Sequence, residues 1–234
     1  MENSFFGFSV APCLRGRFLL PQAMKLPQFY PIIDFSCFAA KPDPVATILE
    51  FARELMDSGA TLIQYRDKVS PPHRVLSIGR ELRRITRNRA TLIVNDYPDL
   101  CLAAEADGVH LGQDDLSPNA ARRIFLAAAQ PQLWIGFSTH NPQQAREADS
   151  LPIDYLAVGP VFPTSSKANP DPVIGLDGVQ QARRATSKPL VAIGGITRAN
   201  CAQVKQAGAD AVAVISDLLE SPAKAVADFL GILG

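Results

Sequence analysis

The sequence predicts an α/β protein in which eight parallel strands close into a single barrel ringed by eight helices. Eight short runs rich in valine, isoleucine and leucine alternate with eight longer stretches that have helical spacing. The runs are almost continuously apolar, as expected for a parallel sheet that is covered on both faces. The chain has 234 residues, which is close to the roughly 250 typical of such barrels. No linker interrupts the alternation, which indicates one domain rather than two.

The barrel is expected to begin with a strand at residues 30–35, after an N-terminal extension that has a different pattern. Residues 1–28 contain an apolar segment that is short, broken by a glycine and a proline, and preceded by an acidic residue. A secretory signal would be basic there and a membrane span would be longer, so neither is indicated. We therefore divide the chain into an extension, 1–28, and a barrel domain, 29–234. The extension is either a disordered tail or the result of a misassigned start, with Met24 as the alternative first residue.

The other seven strands are predicted at the remaining apolar runs. In chain order these are T-L-I-Q-Y-R (61–66), T-L-I-V-N (91–95), G-V-H-L (108–111), L-W-I-G-F (133–137), D-Y-L-A-V (154–158), V-A-I (191–193) and V-A-V-I (212–215). Helices are predicted between them at 44–58, 71–88, 98–104, 118–129, 142–148, 176–186, 199–207 and 217–233. Five of these stretches begin at a proline, which is favoured at the first helical position. Glycines before the second, fourth and eighth strands are interpreted as tight turns from helix to strand.

Composition argues against several kinds of partner. The chain has 23 basic and 23 acidic side chains, so net charge indicates neither a nucleic-acid surface nor an anionic membrane partner. The four cysteines are far apart and form no C-x-x-C pair, so neither zinc nor a disulfide framework is predicted for Cys13, Cys37, Cys101 and Cys201. Reduced, mostly buried thiols in the cytoplasm are the expected state. A homo-oligomer is compatible with the sequence but is not specified by it.

Charged side chains follow the ends of the second, third, fourth and sixth strands, where barrels of this type carry their active sites. They are the cations Arg66, Lys68 and Lys167 and the carboxylates Asp96, Asp114 and Asp115. Carboxylates from two neighbouring strands could share a magnesium ion. Magnesium facing arginine and lysine is the arrangement that a pyrophosphate needs. The alternative for Asp96 and Asp115 is helix capping, because each precedes a predicted helix.

A second set of residues indicates a phosphate site. The run G-P-V-F-P-T-S-S-K, 159–167, places two hydroxyls and an ammonium beyond the sixth strand. The pairs Gly194–Gly195 and Ile215–Ser216 close the seventh and eighth strands. Many barrels of this type bind a phosphate there through backbone N–H groups. The sequence therefore predicts one monophosphate site and one magnesium-pyrophosphate site at the same mouth.

Other polar residues are less specific. Gln64 and Asn95 end strands and can hydrogen-bond either a neutral heteroaromatic ring or the backbone of the barrel rim. His73 lies at a helix start, and His110 lies inside an apolar strand and is interpreted as a packed barrel residue. His140 lies near the rim, where it can act on a substrate, cap a helix or be solvated. No nucleophile is paired with a base, so a reaction that depends on charge stabilisation and positioning fits best.

With these motifs assembled, the chain resembles the thiamine phosphate synthase family from about residue 30 to the C-terminus. Seven ordered motifs carry the resemblance: Q-Y-R-D-K, V-N-D, A-D-G-V-H-L-G-Q-D-D, G-F-S-T-H, G-P-V-F-P-T-S-S-K, A-I-G-G-I and V-I-S. The resemblance implies a TIM barrel transferase of thiamine biosynthesis. Such an enzyme joins 4-amino-2-methyl-5-(hydroxymethyl)pyrimidine pyrophosphate to hydroxyethylthiazole phosphate, with or without a carboxylate, and releases pyrophosphate with magnesium. It also implies a dissociative course, in which the aminopyrimidine stabilises a cation that the thiazole nitrogen captures.

The resemblance also assigns roles to residues. Gln64, Arg66, Lys68, Asn95 and Lys167 would hold the pyrimidine pyrophosphate, and Asp96 and Asp115 would hold magnesium. Thr164, Ser166, Gly195, Ile215 and Ser216 would bind the thiazole phosphate. Ser138 would stand beside the pyrimidine and the departing pyrophosphate, and the catalytic set would be Arg66, Lys68, Ser138 and Lys167. Two positions depart from the family pattern: Ser166 replaces a threonine, and Tyr97 stands where arginine or aspartate is common.

Two alternatives remain open at this point. The related thiazole tautomerase has the same barrel without the metal site and uses the histidine of a G-H pair in the sixth loop. This chain has Gly159–Pro160 there, and it keeps a set of residues that the tautomerase lacks: Gln64, Arg66, Lys68, Asp96 and Asp115. The second alternative is a barrel that binds thiamine precursors without turnover, and retention of every charged ligand argues against it.

Overall fold

Eight parallel strands close into a barrel in which each strand pairs with the next along the chain and β8 pairs with β1. They are β1 (Phe29–Asp34), β2 (Leu62–Arg66), β3 (Thr91–Asn95), β4 (Gly108–Leu111), β5 (Trp134–Thr139), β6 (Tyr155–Val158), β7 (Leu190–Ile193) and β8 (Ala211–Val214). The computed structural model describes residues 26–164 and 171–234. The predicted single barrel is therefore confirmed. The assignment of 1–28 as a separate extension falls almost wholly outside the described residues and stays a prediction.

Eight α-helices follow the strands in the described part of the chain. They are α1 (Pro44–Asp57), α2 (Pro72–Thr86), α3 (Pro98–Ala103), α4 (Pro118–Ala127), α5 (Pro142–Ala148), α6 (Gly175–Ala185), α7 (Cys201–Gln206) and α8 (Pro222–Leu233). The predicted helices are present, but the prediction of one continuous helix over 217–233 is wrong. A 3-10 turn at Ser216–Leu218 is followed by a break, and α8 begins only at Pro222. The break has a physical cause, since the residue before a proline is disfavoured in the helical conformation.

Side chains of the strands alternate between two apolar layers. Phe29 and Ile33 point outward into the layer between strands and helices, where Phe29 stacks on Phe229 of α8 at a centroid distance of 5.0 Å. Tyr30 and Ile32 point into the barrel, where they meet apolar side chains from other strands. This alternation is the period of two that a strand imposes on its side chains. The barrel interior is therefore a packed core, and the open space lies above it.

A repeated polar contact holds the end of the barrel opposite to the mouth. Asp107, Asp154 and Asp210 each precede an even-numbered strand. Each carboxylate accepts a hydrogen bond from a backbone N–H at the start of the preceding odd-numbered strand and pairs with an arginine of the helix before that strand. The partners are Leu92 and Arg83 for Asp107, Ile135 and Arg122 for Asp154, and Leu190 and Arg183 for Asp210, at 2.7 to 2.8 Å. We call these three contacts the strand clamps.

Two further predictions concern the surface and the thiols. None of the described helices is long and apolar enough to cross a lipid bilayer. Among the described cysteines, Cys101 and Cys201 are buried as expected, whereas Cys37 is exposed, and all three are free thiols. Burial raises the pKa of the Cys101 thiol to about 12, so this cysteine stays protonated and serves packing.

Candidate active site

The carboxyl ends of the strands surround a cavity of about 470 Å³, a size that accommodates a small organic substrate. The predicted site residues that the structure describes all line this cavity. They are Gln64, Arg66, Lys68, Asn95, Asp96, Asp115, Ser138, Thr164, Gly195, Ile215 and Ser216. Ser166 and Lys167 lie outside the described residues, so their placement stays a prediction. Sequence motifs that follow β2 through β8 thus converge on one space.

One wall of the cavity is formed by the backbone that follows β7. Gly194 and Gly195 have φ angles of +101° and +62°, in the left-handed region that favours glycine. A Cβ on Gly195 would lie 2.5 Å from the Pro163 carbonyl oxygen and 2.7 Å from Phe162 Cβ. The N–H of Phe162 donates to the carbonyl of Gly194 at 3.0 Å. The loop after β6 therefore packs directly on this backbone, and a side chain at residue 195 would displace it.

An ion-pair bracket connects the segments that follow β7 and β8. The backbone N–H of Arg198 donates to Asp217 Oδ2 at 2.9 Å, and Arg198 Nε donates to the same oxygen at 3.0 Å. Arg198 Nη1 also lies 3.1 Å from Asp228 Oδ2 of α8. The bracket sets the separation of Gly195 and Ser216, which precede its two ends. Sequence reasoning missed both of its residues, although their opposite charges just after neighbouring strands were a usable signal.

The opposite wall carries two carboxylates and a lysine. The carboxylates of Asp96 and Asp115 lie within hydrogen-bonding reach of each other, and Lys68 Nζ lies 3.0 Å from Asp96 Oδ2. Burial and the neighbouring Asp115 raise the pKa of Asp96 to about 6, and the Lys68 ammonium opposes that shift. This wall therefore has an excess of negative charge that a cation would stabilise.

The structure excludes helix capping as the role of these carboxylates. Helix α3 begins after Tyr97 without a side-chain cap, and the cap of α4 is Ser117. Asp115 Oδ2 instead accepts a hydrogen bond from the N–H of Gly112 at 2.7 Å. Asp96 has a φ of +69°, which is uncommon for a residue other than glycine. Within residues 26–164 and 171–234, no group of three or more His, Cys, Asp or Glu side chains is placed to hold a metal ion. A metal on this wall would take its other ligands from water or substrate.

Arg66 reaches the cavity with an ion-pair partner that the sequence did not reveal. Its guanidinium contacts the carboxylate of Asp34, which is almost fully buried. Asp34 is paired with Arg66 in the register of β1 and β2, and it also accepts a hydrogen bond from the N–H of Ser36 at 3.0 Å. The carboxylate thus holds the guanidinium at the cavity edge.

The floor of the cavity is polar. Asn95 is 7 % exposed, and its Nδ2 has no hydrogen-bond partner among the described residues. A buried donor left in this state costs about 1 to 3 kcal/mol, which a ligand acceptor would recover. Gln64 Nε2 donates to Tyr30 Oη at 2.9 Å. Ser138 Oγ lies 2.8 Å from His110 Nε2. His110 is buried as predicted, but it also lines the cavity, so its interpretation as a packing residue alone was incomplete.

His140 lies between the loop that follows β5 and the loop that follows β6. Its Nδ1 lies 2.8 Å from the carbonyl oxygen of Gly159 and 3.3 Å from Asp171 Oδ2. Its backbone N–H donates to Gln144 Oε1 at 2.7 Å, whereas Asn141 caps α5. The ring is therefore neither a helix cap nor simply solvated. It connects the loop after β5 to the start of the loop after β6.

The fold and cavity together define a class of protein. It is a (β/α)8 barrel enzyme whose mouth combines a carboxylate pair, basic side chains and a glycine backbone suited to phosphorylated small molecules. Within that class, the family described as thiamine monophosphate synthase matches residues 36–218, and the chain belongs to this family.

Individual relatives agree with this assignment. The chain is 51% identical to the thiamine-phosphate synthase of Koribacter versatilis over 92% of its own length and 99% of that protein. It is 48% identical to the thiamine-phosphate synthase of Methanoregula boonei over 74% of this chain and 79% of that protein. Among solved structures, the thiamine phosphate pyrophosphorylase of Pyrococcus furiosus superposes with a TM-score of 0.75 at 36% identity and covers 88% of this chain and 95% of that one.

Proposed function

We propose that this protein is a thiamine-phosphate synthase that couples a hydroxymethylpyrimidine pyrophosphate to a thiazole phosphate and releases pyrophosphate. The observation that carries the proposal is the arrangement of the cavity walls. Asp96, Asp115 and Lys68 lie on one wall, and Gly195 and Ser216 lie on the other. One wall suits a pyrophosphate with its cation, and the other suits a monophosphate. A single cavity can therefore hold both substrates next to each other.

The donor set of the acidic wall fits magnesium. Mg²⁺ usually keeps several waters and is bound through one or two carboxylates together with substrate phosphates. Asp96 and Asp115 supply such a pair, and their excess negative charge favours a divalent cation. We therefore assign them as the residues that would hold it. When bound, the ion would neutralise charge that develops on the departing pyrophosphate.

The protein's own side chains bind and orient the pyrimidine substrate. Arg66, held by Asp34, and Lys68 supply positive charge to the pyrophosphate, and Lys167 is expected to add a third cation. Asn95 Nδ2, which has no partner within residues 26–164 and 171–234, offers a donor to the same substrate, and Gln64 borders the space for its ring. These contacts align the carbon–oxygen bond that breaks.

The thiazole phosphate is placed on the other wall. Backbone of Gly195, Ile215 and Ser216 and the Thr164 side chain surround the space for its phosphate, and Ser166 is expected to add a hydroxyl. The bond from the pyrimidine carbon to pyrophosphate oxygen breaks, the aminopyrimidine carries the positive charge, and the thiazole nitrogen forms the new bond. The residues act by charge and position, and none has to remove a proton. A cytoplasmic location and a homo-oligomer remain predictions.

The first test replaces Asp115. Asp115→Asn is expected to lower kcat for thiamine phosphate formation about 100-fold or more, because one of the two carboxylates that would hold the cation loses its charge and the departing pyrophosphate is then less well neutralised. The matched control is Asp99→Asn, since Asp99 is an exposed carboxylate at the start of α3 and should leave kcat unchanged. Rates are measured across a magnesium titration, with thermal unfolding recorded for each variant. Full activity of Asp115→Asn in excess chelator would refute the assignment.

A second test separates the synthase from a thiazole tautomerase. His140→Ala is expected to keep substantial coupling activity, because its Nδ1 contacts Gly159 and the reaction needs no base. In a tautomerase His140→Ala would lose activity and Asp115→Asn would keep it, since moving a proton on the thiazole requires a positioned base and no metal. Both His140→Ala and Asp115→Asn are therefore assayed for coupling and for thiazole isomerisation. If the protein isomerises the thiazole, and His140→Ala abolishes this activity while Asp115→Asn keeps it, the protein is a tautomerase and the proposal is wrong.

A further inference from the structure

A chain of hydrogen bonds crosses the interior of the barrel and ends at the cavity. Gln64 Nε2 lies 2.9 Å from Tyr30 Oη, which lies 2.8 Å from Tyr155 Oη. Tyr155 Oη lies 3.1 Å from His110 Nδ1, and His110 Nε2 lies 2.8 Å from Ser138 Oγ. Four of the five side chains are buried, and Ser138 is half-buried at the cavity floor. We call this series the interior chain.

Packing holds the rings of the interior chain in place. Tyr30 meets Tyr155 edge to face, with centroids 5.9 Å apart, and His110 stacks on Tyr155 at 5.6 Å. The space for them depends on a glycine in β5. A Cβ on Gly136 would overlap the Tyr155 ring and lie 2.5 Å from His110 Nδ1. The interior chain is therefore a fixed feature of the barrel core.

The chemistry of the groups sets the direction of their protons. Burial raises the pKa of the Tyr30 and Tyr155 hydroxyls, so both keep their protons. An amide nitrogen only donates, so Tyr30 Oη accepts from Gln64. Among the described residues the other polar neighbour of Tyr30 Oη is Tyr155, and the Tyr30 proton is therefore donated to it. In that order Tyr155 donates to His110 Nδ1, and the imidazole proton that faces Ser138 lies on Nε2.

This order determines what Ser138 can do. Because His110 Nε2–H donates to Ser138 Oγ, the serine's own proton is directed away from His110. We propose that Tyr30, Tyr155 and His110 are positioning residues that present the Ser138 hydroxyl to the cavity as a hydrogen-bond donor. The identity of the acceptor rests on the proposed function: an oxygen of the departing pyrophosphate, which gains negative charge as its bond to carbon breaks. A donor aimed at developing charge accelerates the step.

The proton order can be tested without any activity. The chain has three histidines, so ¹⁵N nuclear magnetic resonance of histidine-labelled protein resolves the rings, and His110→Asn identifies the His110 signals. The wild-type His110 ring is expected to be neutral with its proton on Nε2. Tyr155→Phe removes the donor to Nδ1 and is expected to give a mixture of the two tautomers. A wild-type ring with its proton on Nδ1, or an unchanged tautomer in Tyr155→Phe, would overturn the proposal.

Kinetics test whether the chain acts through Ser138. Tyr155→Phe is expected to lower kcat about 10-fold with each KM within about 2-fold, whereas Ser138→Ala lowers kcat roughly 100-fold by removing the donor itself. The double variant should be no slower than Ser138→Ala, because residues that act through one group are not additive. Tyr65→Phe is the matched control. Tyr65 is equally buried, but its hydroxyl donates to Asp67 at 3.0 Å and does not belong to the interior chain.

The outcomes are distinguishable. Additive losses in Tyr155→Phe/Ser138→Ala, or an equal loss of kcat in Tyr65→Phe, would show that Tyr155 has only a structural role and would overturn the proposal. If the wild-type protein forms no thiamine phosphate, the proposed function fails, and the resonance experiment still decides the proton order. A shifted tautomer in Tyr155→Phe together with non-additive kinetics supports the proposal.

Discussion

Replacement of Gly195 by alanine tests whether the backbone after β7 forms the phosphate wall. At a φ of +62°, a residue with a Cβ is disfavoured by about 1 to 2 kcal/mol. The new Cβ would also lie 2.5 Å from the Pro163 carbonyl oxygen and 2.7 Å from Phe162 Cβ. Crowding of this kind costs about 1 to 3 kcal/mol. We therefore expect Gly195→Ala to lower the free energy of unfolding by about 2 to 5 kcal/mol.

Gly175 provides a control that separates the two contributions. Its φ is +63°, and a Cβ added there would meet no heavy atom of the described residues within 4 Å, apart from its chain neighbours and the backbone of its own helix. Gly175→Ala therefore carries only the backbone cost. For a domain of this size 1 kcal/mol lowers the Tm by about 2 to 4 °C. Gly175→Ala should accordingly lower the Tm by about 2 to 8 °C, and Gly195→Ala by about 4 to 20 °C.

The assay combines calorimetry with steady-state kinetics below both transitions. Thiazole phosphate is varied at saturating pyrimidine pyrophosphate. Its KM is expected to rise in Gly195→Ala, because the loop after β6 is displaced from the phosphate wall, and to stay unchanged in Gly175→Ala. Equal losses of Tm in the two variants would show that residue 195 is not crowded. An unchanged KM in Gly195→Ala would show that this backbone does not contact the phosphate.

Three further predictions rest on other contacts. Arg122→Met removes five hydrogen bonds, including the one to Asp154. It should lower the free energy of unfolding in urea by about 2 to 4 kcal/mol, whereas Arg84→Met, at an exposed pair, should change it by less than about 1 kcal/mol; equal effects would refute a role for the clamp. Asp217→Asn weakens the bracket with Arg198 and should raise the KM for thiazole phosphate several-fold while leaving that for the pyrimidine substrate unchanged; equal changes in both would contradict it. A chain that starts at Met24 should match the full chain in Tm and kcat, because the eight strands of the closed barrel lie between Phe29 and Val214; insoluble or inactive protein would count against this.

The fold could be predicted because each strand is covered on both faces and so leaves an apolar run in the sequence. Apolar spacing alone did not predict where α8 begins. The spacing continues across Pro222, although the helical backbone is interrupted before this residue. The charged site residues were also accessible, since strand ends in a barrel meet at one mouth. Contacts that depend on the register between neighbouring strands could not be predicted from the sequence. Asp34 became visible only when β1 placed it opposite Arg66.

The interior chain was inaccessible for the same kind of reason. Tyr30 and Tyr155 are separated by 125 residues, and each lies in an apolar run that reads as core. Nothing in either run indicates that the two hydroxyls meet inside the barrel. His110 was recognised as buried, but its contact with Ser138 depends on the pairing of β4 with β5, where His110 lies beside Gly136.

The strand clamps divide the barrel into modules. Each clamp joins an even-numbered helix, the next strand and the strand after it, so α2–β3–α3–β4, α4–β5–α5–β6 and α6–β7–α7–β8 are three copies of one design. The fourth copy would consist of α8 with β1–α1–β2, from opposite ends of the described sequence. Thr61 stands there in place of the aspartate, and no described side chain supplies the clamp. Stacking of Phe29 on Phe229 joins this quarter instead. Amide hydrogens of β1 should therefore exchange with solvent sooner than those of β3, β5 and β7. The contact of β1 with β8 and α8 is then the least stable junction of the barrel.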